Sequence, residues 1–178
     1  MFKLALSAGH GRYTSGKRCS KSIDPNETRE WVLNDRIADK IEKLLANYND
    51  IEILRVDDTT GEKDVLLRNR SSASNKWGAD FYLAIHHNAG INGGSGGGIV
   101  VYVYTTAMAE SIAWQKDLYK SLIDATGLKG NRSSPMLKAN LHECREPDCA
   151  AVLLELGFMD STTDVPIILT EDYANKCA

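Results

Sequence analysis

The chain has no long hydrophobic run, which excludes a protein that crosses a bilayer. No apolar stretch approaches the roughly 20 residues that a membrane-spanning helix needs. The apolar N-terminal segment is also shorter than the roughly 7–15 residues of a signal-peptide core, and Gly9-His10-Gly11 follows it at once. We therefore predict that residues 2–8 form a first core strand and that the protein is made without an export signal. The composition of 178 residues, 43% hydrophobic and 25% charged, is that of one soluble globular domain.

The chain also has little net charge and no paired cysteine motif. A net charge of −3 argues against sequence-independent binding of nucleic acid, which needs a basic surface. The four cysteines form no Cys-x-x-Cys pair. Cys144, beside His142 and Glu143, could hold a second metal together with Cys149, but free thiols are the favoured interpretation.

Strands and helices alternate along the chain, which predicts an α/β fold. We expect a single domain with a twisted, mostly parallel sheet flanked by helices on both faces. The predicted strands are residues 2–8, 51–56, 81–86, 99–104 and 150–156. The first predicted helix starts at Asp24, and two more cover residues 63–77 and 107–126. The stretch from there up to 149 is predicted to be irregular. A last helix is predicted to start near Ser161 or Thr170 and still runs at residue 178.

The start of the first helix is predicted from capping residues. Asp24 suits the N-cap, Pro25 the first helical position and Glu27 the third, where it completes a capping box. A loop with glycine at positions 93, 94, 96, 97 and 98 leads into a strand rather than a helix. A dinucleotide fingerprint needs the opposite order, so the loop is interpreted as a flexible rim.

Three apolar strands end in side chains that can bind metal. The first runs into His10, the third into His86 and the last into Glu155. Ligands in open α/β sheets bind outside the carboxyl ends of the strands, and a catalytic zinc takes three His or carboxylate ligands. The pattern predicts a zinc hydrolase site that needs one further ligand and a general base.

Glu27, Glu30 and Glu155 are the carboxylates available for those two roles. Glu27 already has a local role as a capping residue. Glu30 lies on the helical face continued by Asn34 and Ile37, which packs on the sheet. A carboxylate there can reach across the first strand towards His10, which favours Glu30 over Glu27.

Four ordered motifs carry a resemblance to a known family. They are Gly9-His10-Gly11, the pair Glu30 and Asn34, Ala79-Asp80 with Ile85-His86-His87-Asn88-Ala89, and Val152-Leu153-Leu154-Glu155-Leu156-Gly157-Phe158. Together they resemble the zinc-dependent N-acetylmuramoyl-L-alanine amidases of type 3, found in bacterial autolysins and phage endolysins. The departures are Ala150, where the family often has proline, and Met159-Asp160, where it often has Ser-Asn.

The resemblance implies the site and its chemistry. His10, Glu30 and His86 would bind Zn²⁺, and Glu155 would be the catalytic carboxylate. The expected reaction is hydrolysis of the amide between N-acetylmuramic acid and L-alanine in bacterial peptidoglycan, with cell-wall lysis as the result. A carboxylate that follows five apolar residues is costly to ionise without a compensating cation, which favours the catalytic role of Glu155.

The resemblance also sets expectations for the setting of the protein. Peptidoglycan is the expected partner, with no nucleic acid, no membrane insertion and a monomeric catalytic domain. Residues 1–178 are expected to be that domain, cut from a longer chain with a C-terminal wall-binding region. We expect synthesis in the bacterial cytoplasm without a signal peptide and action on the wall after release.

Other polar residues have weaker interpretations. Asn88 shares a strand face with His86 and could meet substrate or cap the loop, and His142 could line the substrate groove. His87 is expected on the opposite face of the strand. Arg68 and Arg70 are expected on a solvated or ion-paired helix face. Two other functions are open: a zinc peptidase that cuts within the stem peptide, and a non-catalytic wall-binding module.

Overall fold

A six-stranded sheet organises the fold. The computed structural model describes residues 1–178. Its strands are β1 (Phe2–Ala8), β2 (Ile51–Arg55), β3 (Phe81–Asn88), β4 (Ile99–Val103), β5 (Met136–Lys138) and β6 (Ala150–Phe158). Their order in the sheet is β2-β1-β3-β6-β4-β5, and every neighbouring pair is parallel except β4 with β6. The predicted α/β fold with a mostly parallel sheet is confirmed.

Helices cover both faces of this sheet. They are α1 (Glu30–Leu45), α2 (Leu67–Trp77), α3 (Ala109–Thr126), α4 (His142–Arg145), α5 (Val165–Ile168) and α6 (Glu171–Cys177). Helices α1 and α3 pack on the sheet, and both contact α6. Helix α2 packs with α4. None of these helices has both the length and the apolar character that crossing a bilayer requires.

The alternation of side chains along β3 divides the core into two layers. Phe81, Leu83 and Ile85 point into a large layer of 25 buried residues. Tyr82 and Ala84 point the other way, into a small layer of seven. Because both faces are covered, the strand is apolar throughout rather than at every second position. The same alternation sends the side chains that end the strand to opposite faces of the sheet.

The first helix begins later than its capping residues predicted. Asp24 accepts hydrogen bonds from the backbone N–H groups of Asn26 (3.1 Å) and Thr28 (2.7 Å), so it closes a turn of its own. Glu27 has a positive φ of 50° and cannot be a helical residue, and its carboxylate pairs with Arg18 instead. Aspartate caps isolated turns as readily as helices, which is why the local pattern was misleading. The predicted capping box is wrong, and α1 starts at Glu30.

The glycine-rich loop is tethered rather than free. Oδ2 of Asp160 accepts hydrogen bonds from the backbone N–H groups of Gly90, Ile91 and Asn92. Further along, Gly98 N–H donates to Asp164 Oδ2 (2.7 Å). These bonds tether the loop to the segment that follows β6. The stretch predicted to be irregular up to residue 149 contains the short strand β5 and the helix α4.

Candidate metal centre

The carboxyl ends of three adjacent strands meet at the site. Strand β3 lies between β1 and β6, and His86 is paired in register with Glu155. On the other side, Gly9 N–H donates to Ile85 O (2.9 Å) and so places His10 just beyond the end of β1. The three side chains predicted from strand ends therefore come together because their strands are neighbours.

Glu30 joins the two histidines from the first turn of α1. Its Oε1 lies 3.3 Å from His10 Nε2 and 3.2 Å from His86 Nδ1. The ligand atoms of these three residues all lie within 4.8 Å of one another, and no other group of potential ligands in the chain is as close. Glu30 is 1% exposed, and its Oε2 is buried without a hydrogen-bond partner. Two imidazoles and one carboxylate with an orphaned oxygen are a donor set that fits a zinc ion with an open position.

The charges at this cluster are arranged to receive a cation. Burial alone would raise the pKa of Glu30, but hydrogen bonds from His10 and His86 hold it well below its usual value. Burial alone would lower the pKa of His86, but the carboxylates of Glu143 and Glu30 raise it to about 10. The His86 ring therefore carries a positive charge between two carboxylates, and a cation bound by Glu30 would supply positive charge in its place.

Glu143 is a site residue that the sequence did not reveal. It lies on α4, and its Oε2 is 3.0 Å from His86 Nε2. Its Oε1 accepts hydrogen bonds from Ser7 Oγ (2.6 Å) and Tyr82 OH (2.8 Å). Burial would raise the pKa of Glu143, but the bond with His86 lowers it to about 2. A buried carboxylate behind the second ring nitrogen is the usual way to orient a metal-binding histidine.

Arg70 is buried rather than solvated, and it agrees with the ion-paired alternative, since its Nη2 lies 3.4 Å from Asp64 Oδ1. It is fully buried on α2. Its Nη1 donates to Ser7 Oγ (2.8 Å) and Ala8 O (2.6 Å), and its Nη2 donates to His10 O (3.0 Å). The guanidinium thus ties the end of β1 to the Ser7–Glu143 pair. A charged residue that faces inwards from a polar helix leaves no periodic signal in the sequence, because its partners are backbone carbonyls from another element.

The glycines around His10 are required by close contacts. A Cβ atom on Gly9 would lie 2.2 Å from Cε1 of His86, so any side chain there displaces the ring. A Cβ on Gly11 would lie 2.9 Å from the backbone nitrogen of Asp64. Between them His10 itself has a φ of 66°, an unusual conformation for a residue with a side chain. The site can therefore form only with glycine on both sides of His10.

His87 lies on the opposite face of β3 from His86, as predicted. Its Nδ1 is 2.8 Å from Asn34 Oδ1, and Asn34 Nδ2 donates to Gly9 O (3.1 Å). Burial lowers the pKa of His87 to about 3, so the ring is neutral. This chain of contacts fixes α1 against the turn that carries His10, and it gives His87 a packing role.

Glu155 lines an open cavity beside the cluster. The cavity has a volume of about 320 Å³, and its lining residues are Ser15, Gly16, Lys17, Glu30, His86, His87, Asn88, Ala89, Glu155 and Met159. Glu155 Oε2 is buried without a hydrogen-bond partner. Burial raises the pKa of this carboxyl to about 7, against the lowering effect of His86. A carboxyl with such a pKa can both take and return a proton near neutral pH.

The two weaker candidates lie in different places. Asn88 lines the cavity, and its Oδ1 also accepts a hydrogen bond from Ala89 N–H (2.8 Å). His142 does not belong to the cavity lining, because its Nε2 faces Ser71 Oγ at 3.1 Å. The structure therefore gives no support to a substrate contact of His142. The cysteines of the proposed second metal site are free, and Glu143 beside them faces His86.

Comparison with known proteins places this arrangement in one family. A family described as N-acetylmuramoyl-L-alanine amidase matches residues 4–178. A sporulation-specific N-acetylmuramoyl-L-alanine amidase of Bacillus subtilis (strain 168) is 30% identical over the whole chain, which covers 64% of that protein. An endolysin of Bacillus phage SPP1 is 26% identical, and the chain covers 63% of it. The chain thus spans slightly less than two thirds of the length of these relatives.

Solved structures show the same fold. The catalytic domain of CwlV, an N-acetylmuramoyl-L-alanine amidase from Bacillus (Paenibacillus) polymyxa var. colistinus, superposes with a TM-score of 0.85 at 25% identity. That match covers 99% of this chain and 92% of the other. A second amidase structure, from Clostridium difficile 630, gives a TM-score of 0.86 at 23% identity, over 99% of this chain and 90% of the other.

Proposed function

Because the chain belongs to the N-acetylmuramoyl-L-alanine amidase family, we propose that it hydrolyses the amide between N-acetylmuramic acid and L-alanine in bacterial peptidoglycan. The relatives of this chain include a sporulation-specific N-acetylmuramoyl-L-alanine amidase and a phage endolysin. We propose that residues 1–178 are the catalytic domain and that the cell wall is the place of action.

The metal in this proposal is zinc, held by His10, Glu30 and His86. Imidazole and carboxylate donors suit zinc, and the three ligand atoms already lie within 4.8 Å of one another. A zinc ion there would supply Lewis-acid polarisation of the scissile carbonyl and of an attacking water. Glu143 would hold the His86 ring in place, since it accepts from Nε2 while Nδ1 faces Glu30 and His10.

Glu155 moves the proton in this proposal. Its unpartnered Oε2 would take a proton from the attacking water and later give it to the departing amine of L-alanine. Burial raises the pKa of this carboxyl to about 7, and a dication on the neighbouring ligands would lower it, which favours the ionised form that accepts the first proton. The observation that carries the proposal is an orphaned, buried carboxyl oxygen of Glu155 beside the His-Glu-His cluster, whose His86 is paired in register with Glu155 on the neighbouring strand.

The test is product analysis on purified peptidoglycan. We expect mass spectrometry to find new free amines on L-alanine only, with the glycan strands intact. New amines on other stem residues would instead identify a peptidase, and no cleavage at all would leave a wall-binding module. Either result overturns the proposed reaction.

A matched pair of variants separates catalysis from metal binding. Glu155→Gln should keep its zinc while the rate falls by a factor of about 10² or more. Glu52→Gln, on the exposed side of strand β2, should retain both zinc and activity. Loss of zinc in Glu155→Gln would make Glu155 a ligand and would refute its role as base.

A further inference from the structure

The cavity beside the metal cluster contains one cationic side chain, that of Lys17. Its Nζ lies 3.7 Å from Glu30 Oε2, and the side chain remains 44% exposed to the cavity. The only other formally charged lining groups, apart from histidines, are Glu30 and Glu155, and both already have roles at the metal and in proton transfer. Lys17 has no such role, so its charge is available to a ligand.

The backbone holds Lys17 firmly at this position. Glu30 N–H donates to Lys17 O (3.1 Å), which joins the loop to the start of α1. The next residue, Arg18, forms a β-bridge with Arg29, and Cys19 N–H donates to Thr28 O (2.8 Å). The ammonium group is therefore presented to the cavity from a fixed loop, which favours binding over a chance surface position.

The charge of the cavity favours an anionic ligand once a divalent cation is bound. Without a metal ion, the carboxylates of Glu30 and Glu155 are balanced by Lys17 and the protonated His86 ring, and Lys17 is held by Glu30. A divalent ion on Glu30 adds positive charge to the lining and weakens the attraction that Glu30 exerts on Lys17. The ammonium group is then free to meet a carboxylate.

Resting on the proposed function, we propose that Lys17 determines specificity by binding a carboxylate of the stem peptide next to the scissile amide. Two residues of extended chain span about 7 Å, and Lys17 Nζ lies 3.7 Å from an oxygen of a metal ligand. A carboxylate on the second stem residue is therefore within reach, while an amide in its place offers no charge. The protein should distinguish peptides that carry a free α-carboxylate on that residue from those in which it is amidated.

The experiment measures binding separately from cleavage. Two synthetic N-acetylmuramoyl dipeptides are titrated into zinc-loaded Glu155→Gln protein by calorimetry. Their second residue carries either a free α-carboxylate or an α-amide, and neither peptide has another free carboxylate. We expect the carboxylate form to bind about fivefold more tightly, as for a partly exposed ion pair. Adding Lys17→Met should bring the ratio close to one. Adding Lys17→Arg, or Lys21→Met on the exposed part of the same loop, should leave the preference in place.

The outcomes separate this inference from the proposed reaction. A ratio that Lys17→Met leaves unchanged, or an absence of preference in the parent protein, overturns the inference. Loss of zinc or of thermal stability in Lys17→Met, with equal loss of both ligands, makes the residue a counter-charge for Glu30 and also overturns it. If the ratio depends on Lys17 but the unmutated protein cleaves neither peptide, carboxylate recognition stands and the amidase proposal fails.

Discussion

Replacement of Glu143 by glutamine tests how the metal centre is built. The carboxylate accepts from His86, Ser7 and Tyr82 at once. An amide has one acceptor oxygen and one donor group, so it can satisfy the imidazole or the two hydroxyls but not both. Ser7 Oγ already accepts a hydrogen bond from Arg70. If the amide oxygen faces His86, the hydroxyl hydrogen of Ser7 therefore has no acceptor.

The expected loss follows from the strength of these bonds. A hydrogen bond to a charged group contributes about 1.5–3 kcal/mol, and one between neutral groups about 0.5–1.5 kcal/mol. A difference of about 1.4 kcal/mol changes an equilibrium constant tenfold. Removing a carboxylate behind a metal-binding histidine typically weakens metal binding by about 10–100-fold. We therefore expect the zinc dissociation constant of Glu143→Gln to rise at least about tenfold.

Competition with a chromophoric zinc chelator measures that constant directly. Glu146→Gln is the matched control, because Glu146 caps the same short helix but its carboxylate is exposed and pairs with Arg145. The control should bind zinc like the parent protein. A dissociation constant within about twofold of the parent in folded Glu143→Gln would show that other contacts orient His86. That result would refute the role assigned to Glu143.

Three further predictions concern the supports of the site. Gly9→Ala should lower activity by roughly 10²-fold with the fold intact by circular dichroism, because its Cβ displaces the His86 ring; near-normal activity would contradict this. Arg70→Met should lower the free energy of unfolding by about 3–5 kcal/mol in urea denaturation, since buried carbonyls lose their donor; a change under about 1 kcal/mol would show that water replaces the guanidinium. Glu30→Ala should lose its zinc by elemental analysis, while Glu27→Ala should keep it; the reverse pattern would move the ligand out of α1.

The sequence by itself was sufficient to predict five of the six strands and the three strand-end side chains. Apolar runs of strand length alternate with helical patterns, and this local periodicity is decided by neighbouring residues alone. His10, His86 and Glu155 follow such runs directly, and carboxyl ends of parallel strands share an edge, so their meeting could be inferred without coordinates. The opposite orientations of His86 and His87 followed in the same way from strand geometry.

Only the tertiary structure decided what supports those side chains. Glu143 and Arg70 meet His86 and His10 across separations of 57 and 60 residues, from helices on which their neighbours carry no matching pattern. The start of α1 was also decided by distant contacts: Glu30 N–H bonds to Lys17 O, while the capping residues near Asp24 close a separate turn. Periodicity and capping report interactions within an element, whereas a buried charge is stabilised by partners that the chain brings from elsewhere. For that reason the sequence predicted the groups of the candidate metal site, and the folded chain alone showed which groups hold them there.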